Sequence, residues 1–436
     1  MTQCAIVDFC PSNANHNRTN ALQLTFPPLT IKNQAERCKR RLYAYNTRPN
    51  PPRRHRATFR MSMAEDKQHD FNVLDTSIYP AQLDEKSDRL RQLFAEFQPP
   101  ELEVHASEPS HFRLRAEFRL WHEGDRCYYA MFEPGNKSKA YEVKEFPIAS
   151  QLINRLMQQL LVEIQPNELL RRQLFQVEFL TTMSGDALIT LIYHKKLDDA
   201  WQAEAEALQQ RLGFPIVGRS RKQKLVLERD YVNETLQVDG KAFHYRQIEG
   251  GFTQPNGGLN QQMLSWARSA SDAFSGDLLE LYCGNGNFSV ALADKYDRVL
   301  ATEISKTSVA AAQINIRDNA LDNLIIARLS SEEFVQAIRG ERTFTRLGDV
   351  DLTSYNFDTV LVDPPRAGLD DESVRQISEY NNIIYISCNP DTLHANLTEL
   401  CKTHTITRFA LFDQFPYTHH IETGVVLTRR SANKDQ

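Results

Sequence analysis

The C-terminal half of this 436-residue chain predicts an α/β fold, a doubly wound and mostly parallel sheet, with a smaller α+β unit ahead of it. Short apolar segments recur near 278–282, 298–303, 324–328, 358–363, 383–387, 405–412 and 420–427, with helical patterning between them. The first of them runs straight into a glycine-rich turn, Leu278-Leu-Glu-Leu-Tyr-Cys-Gly284-Asn285-Gly286-Asn287-Phe288. This rhythm begins only after about residue 253; before it, apolar and polar residues alternate as in an antiparallel sheet.

The elements follow in order. Residues 1–60 carry eleven Arg and Lys against Asp8 and Glu36, a local charge of +9, so the remainder holds −14 of the net −5. This stretch has no sustained period, and three readings stand open: a basic nucleic-acid-binding arm, an Arg-rich targeting peptide, or sequence upstream of a true start at Met61 or Met63. Domain limits are therefore drawn as a basic extension over 1–62, disordered or a mis-assigned start, an α+β unit over 63–250, and the α/β domain over 251–430. Residues 79–98 pattern as an amphipathic helix, with Leu83, Leu90, Leu93, Phe94 and Phe97 on one side. From His111 to Trp121, Phe112, Leu114, Ala116, Phe118 and Leu120 face one way, and Arg113, Arg115, Glu117 and Arg119 the other. Glu123-Gly124-Asp125 turns that strand into Cys127–Phe132, and helix 147–164, strands 173–182 and 186–194 and helix 197–212 complete the unit. A basic loop, Gly218-Arg-Ser-Arg-Lys-Gln-Lys224, follows.

Composition narrows the chemistry. Charged and apolar fractions are those of a soluble globular protein, and no apolar run approaches the ~18–20 residues of a membrane span. Seven cysteines, odd in number and without a CxxC pair, argue against a disulfide framework, a zinc site or an iron–sulfur cluster, and for a reducing cytosol.

In the glycine-rich turn, Gly284 and Gly286 let backbone approach a ligand, and nineteen residues after Gly284 an acid, Glu303, ends the next strand, where it can accept from ribose hydroxyls. The third glycine of the dinucleotide fingerprint is replaced by Ser289, which disfavours NAD and leaves S-adenosylmethionine as the common adenosine cofactor. The fourth strand ends in Asp363-Pro364-Pro365-Arg366, a stiff carboxylate-bearing rim; enzymes that methylate exocyclic amines carry an aromatic where Arg366 stands. Cys388 follows the uncharged strand Ile383-Ile-Tyr-Ile-Ser387 and precedes Asn389-Pro390, at the strand end where α/β enzymes present reactive groups.

LYCGNGNF (281–288), DPPRAGL (363–369), SCNP (387–390) and HIETG (420–424), in this order and spacing, resemble the RNA 5-methyluridine methyltransferase family. Within it the closest resemblance is to the tRNA enzymes that modify the T-loop uridine, supported by RAEFRLWH (115–122) and YHKKLDD (193–199). Residues 1–60 have no counterpart in that resemblance. It implies a class I S-adenosylmethionine-dependent methyltransferase, Rossmann-like with a seven-stranded doubly wound sheet, behind a smaller RNA-binding domain. It implies Cys388 as the nucleophile that adds to C6 of uracil, and Glu422, third residue of strand 420–427, as the base that removes the C5 proton. A lowered thiol pKa, from local charge or a helix dipole, is expected at Cys388. The cofactor would be held by Gln254, Tyr282, Asn287, Glu303 and Asp363. Arg366 is left to stabilise an enolate oxygen or hold a phosphate, and Arg113, Arg115 and Arg119, with Lys195, Lys196 and the 219–224 loop, form the expected RNA face. Phosphate contacts made by a −14 body require those basic residues to be segregated on one side. The expected partners are the T-arm of tRNA, with transfer-messenger RNA as a further substrate, for a cytoplasmic monomer without metal or membrane.

Overall fold

The computed structural model describes residues 71–430 apart from 134, 135 and 349; the basic extension 1–62 and the expected start at Met61 or Met63 lie outside the described residues. Helix α1 (Tyr79–Phe94) carries Pro80 in its first turn and buries Leu90 and Phe94. It ends at a 3-10 turn over Ala95–Phe97, short of the expected residue 98. Strand β1 (Leu102–His105) follows, and it does not join the small α+β unit: it pairs parallel with residues 409–412. The boundary near 250 is thus not where the sheets divide, because residues 79–105 give a helix and an edge strand to the C-terminal sheet.

The second sheet holds β2 (Arg115–Glu123), β3 (Arg126–Glu133), β4 (Asn136–Glu142), β5 (Leu174–Thr181), β6 (Ala187–Tyr193), β7 (Ile216–Ser220) and β8 (Gln223–Val226), in the order β4-β3-β2-β5-β6-β7-β8. Its inner face packs Phe118, Val177 and Ile189 against Leu156 and Met157 of α2 (Gln151–Ile164), Leu170 of α3 (Glu168–Arg171) and Trp201 of α4 (Asp199–Leu212). The period-2 pattern of β2 is realised, with Ala116, Phe118 and Leu120 buried and Glu117 exposed. The strand starts later than the alternation does. Ahead of it, Arg113 and Leu114 give their N–H groups to Ile148 and Pro255 carbonyls, which spends them on neighbouring loops and not on a ladder. The expected basic loop 218–224 is instead the hairpin β7–β8, turning at Lys222 with φ +63°. A second hairpin that the sequence reading passed over, β9 (Tyr231–Val238) and β10 (Lys241–Ile248), then crosses to the C-terminal half.

That half alternates α5 (Gly257–Ser271), β11 (Asp277–Leu281), α6 (Asn287–Leu292), β12 (Val299–Thr302), α7 (Lys306–Asp318), β13 (Leu324–Ala327), α8 (Ser331–Ile338), β14 (Phe357–Val362), α9 (Asp371–Ile377), β15 (Asn382–Ser387), α10 (Pro390–Leu400), β16 (His404–Phe412) and β17 (Glu422–Arg429). The sheet order is β1-β16-β17-β15-β14-β11-β12-β13, with β17 alone antiparallel to its neighbours. All seven expected strands form and β1 adds an eighth. Helices cover both faces: Met263, Trp266 and Phe288 lie in one core, and Leu90, Phe94 and Leu397 in the other. Ile383 to Ile386 are completely buried, each worth roughly 2–3 kcal/mol of apolar burial, so the strand leading to Cys388 is rigidly seated. The winding direction reverses between β11 and β14, the switch point where ligands bind in open α/β sheets. Among the described residues no helix is long and apolar enough to cross a membrane.

Candidate active site

Ladder register brings the candidate residues to one rim. Leu281 lies opposite both Thr302 and Val362, so the residues one step further on, Tyr282, Glu303 and Asp363, stand side by side at the C-terminal ends of β11, β12 and β14. Ser387 of β15 lies opposite Thr423 of β17; one step beyond, Cys388 comes opposite Glu422. Glu422 is the first residue of β17 and not the third, because 413–421 loops out before the strand resumes. It still reaches the rim, through the reversed direction of β17.

Local sequence explains why Cys388 is held there. Asn389 caps α10, its side chain accepting from the Asp391 N–H at 3.2 Å, with Pro390 in the first turn. Ser387 Oγ donates to the Asn389 carbonyl at 3.1 Å and accepts its N–H at 3.2 Å, closing the bend around the thiol. Asn389 Nδ2 also donates to the Arg366 carbonyl at 3.1 Å, and Asn396 bonds both backbone groups of Leu369, which ties 363–369 to α10. Gly368, at φ +75°, sits where a Cβ would meet Thr392 at 2.9 Å.

The electrostatics differ from the expectation. Burial pushes the Cys388 thiol up to about 12, and the facing Glu422 and Asp363 carboxylates add to this. Arg366 and a backbone hydrogen bond pull the other way without prevailing. A lowered thiol pKa was expected; this pocket holds the thiol protonated chiefly because burial disfavours the thiolate, and the facing carboxyls add to this. Burial also raises Asp363 to about 7 and Glu422 well above the carboxylate range, the latter further lifted by Asp363. Behind them Glu280, unremarked in the sequence, is buried, hydrogen-bonded to Ser289 Oγ and raised to about 8.

The residues present suit an adenosyl sulfonium cofactor. Gly284 (φ +57°) has open space where a Cβ would project, so backbone is bare to a ligand. Tyr282 is held at φ +65°, an uncommon conformation for a side-chain-bearing residue, with its hydroxyl 2.9 Å from Ser331 Oγ. Glu303 accepts from Gly284 N–H at 3.1 Å and Ser305 N–H at 2.6 Å, which fixes its carboxylate at the strand end with lone pairs left over. Glu303, with Asp363 beside it on the same rim, favours a cation. Asn287 exchanges two hydrogen bonds of 2.9 Å with Asn260 of α5, a partner that nothing in the sequence pattern singled out. Gln254, half-buried, lies in the loop whose Pro255 carbonyl receives Leu114, next to the exposed Phe252. Among the described residues no group of three or more His, Cys, Asp or Glu is arranged to hold a metal ion.

The profile of a family described as tRNA (Uracil-5-)-methyltransferase matches residues 78–430. The chain belongs to this family. A tRNA/tmRNA (uracil-C(5))-methyltransferase of Shewanella amazonensis is 56% identical over 362 residues, 82% of this chain and 99% of that protein. One from Neisseria meningitidis serogroup A is 55% identical over 359 residues, 81% and 99% of the two chains. Among solved structures, the Pyrococcus abyssi tRNA (uracil-54, C5)-methyltransferase in complex with S-adenosyl-L-homocysteine is similar in fold, with a TM-score of 0.61 at 20% identity over 80% of this chain and 83% of that one. The chain is a methyltransferase, with the fold of enzymes that use S-adenosylmethionine.

In this methyltransferase most of the expected RNA-facing residues have partners inside the protein. Arg113 Nε donates to the Arg115 carbonyl at 2.7 Å, and Arg115 reaches the Gly251 carbonyl at 2.7 Å and Glu178 at 3.7 Å. Arg119 stacks on Phe175, 3.4 Å from its centroid. Arg219 is paired with Glu249, and Lys224 with Glu249 and Asp230, so the basic residues of β7–β8 are interleaved with acids and not segregated. Lys195 donates to the Leu169 carbonyl at 2.6 Å. Arg366 is exposed at the rim and has no ion-pair partner among the described residues.

Proposed function

We propose that this enzyme methylates C5 of the T-loop uridine of tRNA, and of the matching loop in transfer-messenger RNA, through a covalent Cys388–C6 adduct resolved by Glu422. The names of the relatives support the substrate class. The observation that carries the mechanism is the β15–β17 register, which sets a thiol and a carboxyl opposite one another on the rim that also bears Glu303 and Asp363.

Uracil C5 is a weak nucleophile. Cys388, as thiolate, forms a bond to C6 and drives the C5–C6 electron pair into an enolate, which makes C5 nucleophilic. When bound, S-adenosylmethionine supplies an electrophilic methyl group to that carbon. Glu422, as carboxylate, then takes the C5 proton; the C5–C6 double bond re-forms and the C6–sulfur bond breaks, returning the Cys388 thiolate. The raised pKa of Glu422 makes it a stronger base than an exposed glutamate. Since the resting thiol is protonated, substrate binding must bring positive charge to it, and Arg366 is the cation already acting on it. Gln254, Tyr282, Asn287, Glu303 and Asp363 hold the cofactor. A flipped base needs replacement stacking surface, which the exposed Phe252 and the Arg119–Phe175 stack with Trp121 and Phe132 on the outer face of the second sheet offer. Arg115 shapes that surface by tying β2 to the Gly251 carbonyl of the linker, and Arg113 braces the Arg115 carbonyl beside it. A tRNA substrate implies a cytoplasmic setting, and cysteines odd in number without a CxxC pair accord with it.

The test is methyl transfer from labelled S-adenosylmethionine to tRNA transcripts with uridine or cytidine at the T-loop position. Label should appear as 5-methyluridine in the first transcript and not in the second. Equal labelling of both would refute the site assignment.

A further inference from the structure

The loop between β16 and β17 opens and closes at the candidate base: Phe412 is the cross-strand partner of Glu422, and residues 413–421 connect them. One face of α1 grips this loop. Lys86 Nζ lies 2.6 Å from Asp413 Oδ1 and donates to the Phe415 carbonyl at 3.0 Å, with Lys86 and Asp413 both buried. One turn earlier, Gln82 Oε1 accepts the Tyr417 N–H at 2.5 Å, and a turn before that Tyr79 packs its ring 5.7 Å from Tyr417. Residues 79, 82 and 86 are spaced i, i+3, i+7, a single helical stripe. From the other side, the Asp413 N–H donates to the His105 carbonyl at 3.1 Å, and Tyr417 hydroxyl to the Pro109 carbonyl at 2.6 Å.

A buried lysine–aspartate pair is a poor way to gain stability, since desolvation takes back most of the Coulombic attraction; its best-attested use is to fix register. Here the register fixed is that of Glu422. We propose that Lys86 is a positioning residue: through its buried pair with Asp413 it holds the 413–421 loop, and with it the Glu422 carboxyl, in line for the C5 proton. This rests on Glu422 being the base. It gives the helix and strand of residues 79–105 a role in the last step of the reaction, exerted through the 413–421 loop.

A misplaced base leaves addition and methylation intact and slows elimination, so the signature is a stalled, methylated protein–tRNA adduct formed on ordinary uridine. The full chain with Lys86→Met should accumulate that adduct, visible as a shifted, label-bearing band on denaturing gels. Turnover should fall by about ten- to hundredfold, as expected for a catalytic group displaced by around an ångström, with KM for tRNA unchanged. Lys86→Met strands Asp413 and can cost the fold, so the double variant Lys86→Met/Asp413→Leu, which removes both charges, is measured alongside and should stall in the same way. Glu422→Gln with Lys86 intact checks the underlying reading. If it stalls and the folded double variant turns over at the parent rate without adduct, the positioning role is overturned. If Glu422→Gln itself forms no adduct and turns over normally, the base assignment fails instead.

Discussion

Consider Glu280→Gln, beneath the glycine-rich turn. Glu280 is 1% exposed, bonded to Ser289 Oγ, and raised from 4.5 to about 8 by burial, with Asp363 and Glu303 adding to the rise. In the unfolded chain it ionises above about 4.5, whereas in the folded protein it stays protonated up to about 8. Folding must therefore take up a proton throughout that window. Stability from this group is fully present below pH 4.5, falls by about 1.4 kcal/mol per pH unit, and levels off above pH 8. At pH 7 the penalty is about 3 kcal/mol. Glutamine keeps the shape and can still bond Ser289, yet has no proton to take up. In urea unfolding, the variant should gain under about 1 kcal/mol at pH 5 and about 4 kcal/mol at pH 8, other titrating groups cancelling in the difference. Parallel pH dependences for parent and variant, or a variant less stable at pH 8, would refute the reasoning and mean that Glu280 is charged in the folded state.

Two further expectations concern the rim. Alkylation of Cys388 in the ligand-free protein, followed by peptide mass spectrometry, should be far slower at pH 8 than that of a free thiol and should rise about tenfold per pH unit to beyond pH 10. Asp363→Asn should speed it at pH 8.5 by removing a facing negative charge; an unchanged or slower rate would contradict the charge arrangement. Gly284→Val puts a branched side chain into the space open to a ligand at φ +57° and should weaken S-adenosylhomocysteine binding at least a hundredfold by calorimetry, while near-parent affinity would mean that the turn does not carry the cofactor.

Much of this was legible in sequence because period and punctuation carry it. The buried run of β15 followed by Asn389-Pro390 specified a strand and a turn, and so the position of Cys388; that Asn389 caps a helix came only with the structure. Strand, glycine turn and Glu303 were legible as neighbours at one strand end; the Glu303–Gly284 hydrogen bond that couples them was not. What escaped lies in long-range pairing. Lys86 looks like a solvated charge on an amphipathic helix until Asp413, 327 residues away, is folded against it. Strand β1 is too short to signal which sheet it joins. The arginines of β2 alternate as an exposed row would, but the linker carbonyl of Gly251 and the ring of Phe175 claim two of them. The thiol's upward shift was hidden for the same reason, since its burial and the facing Glu422 and Asp363 arise only when the strands pair.

The central claim is that Cys388 bonds to uracil C6. It is tested most directly with tRNA carrying 5-fluorouridine in the T-loop, incubated with S-adenosylmethionine. Fluorine at C5 cannot be removed as a proton is, so elimination is blocked and a covalent protein–RNA adduct should accumulate with the parent chain and be absent with Cys388→Ala. An adduct that survives Cys388→Ala, or none from a parent chain that methylates ordinary tRNA, would contradict the account.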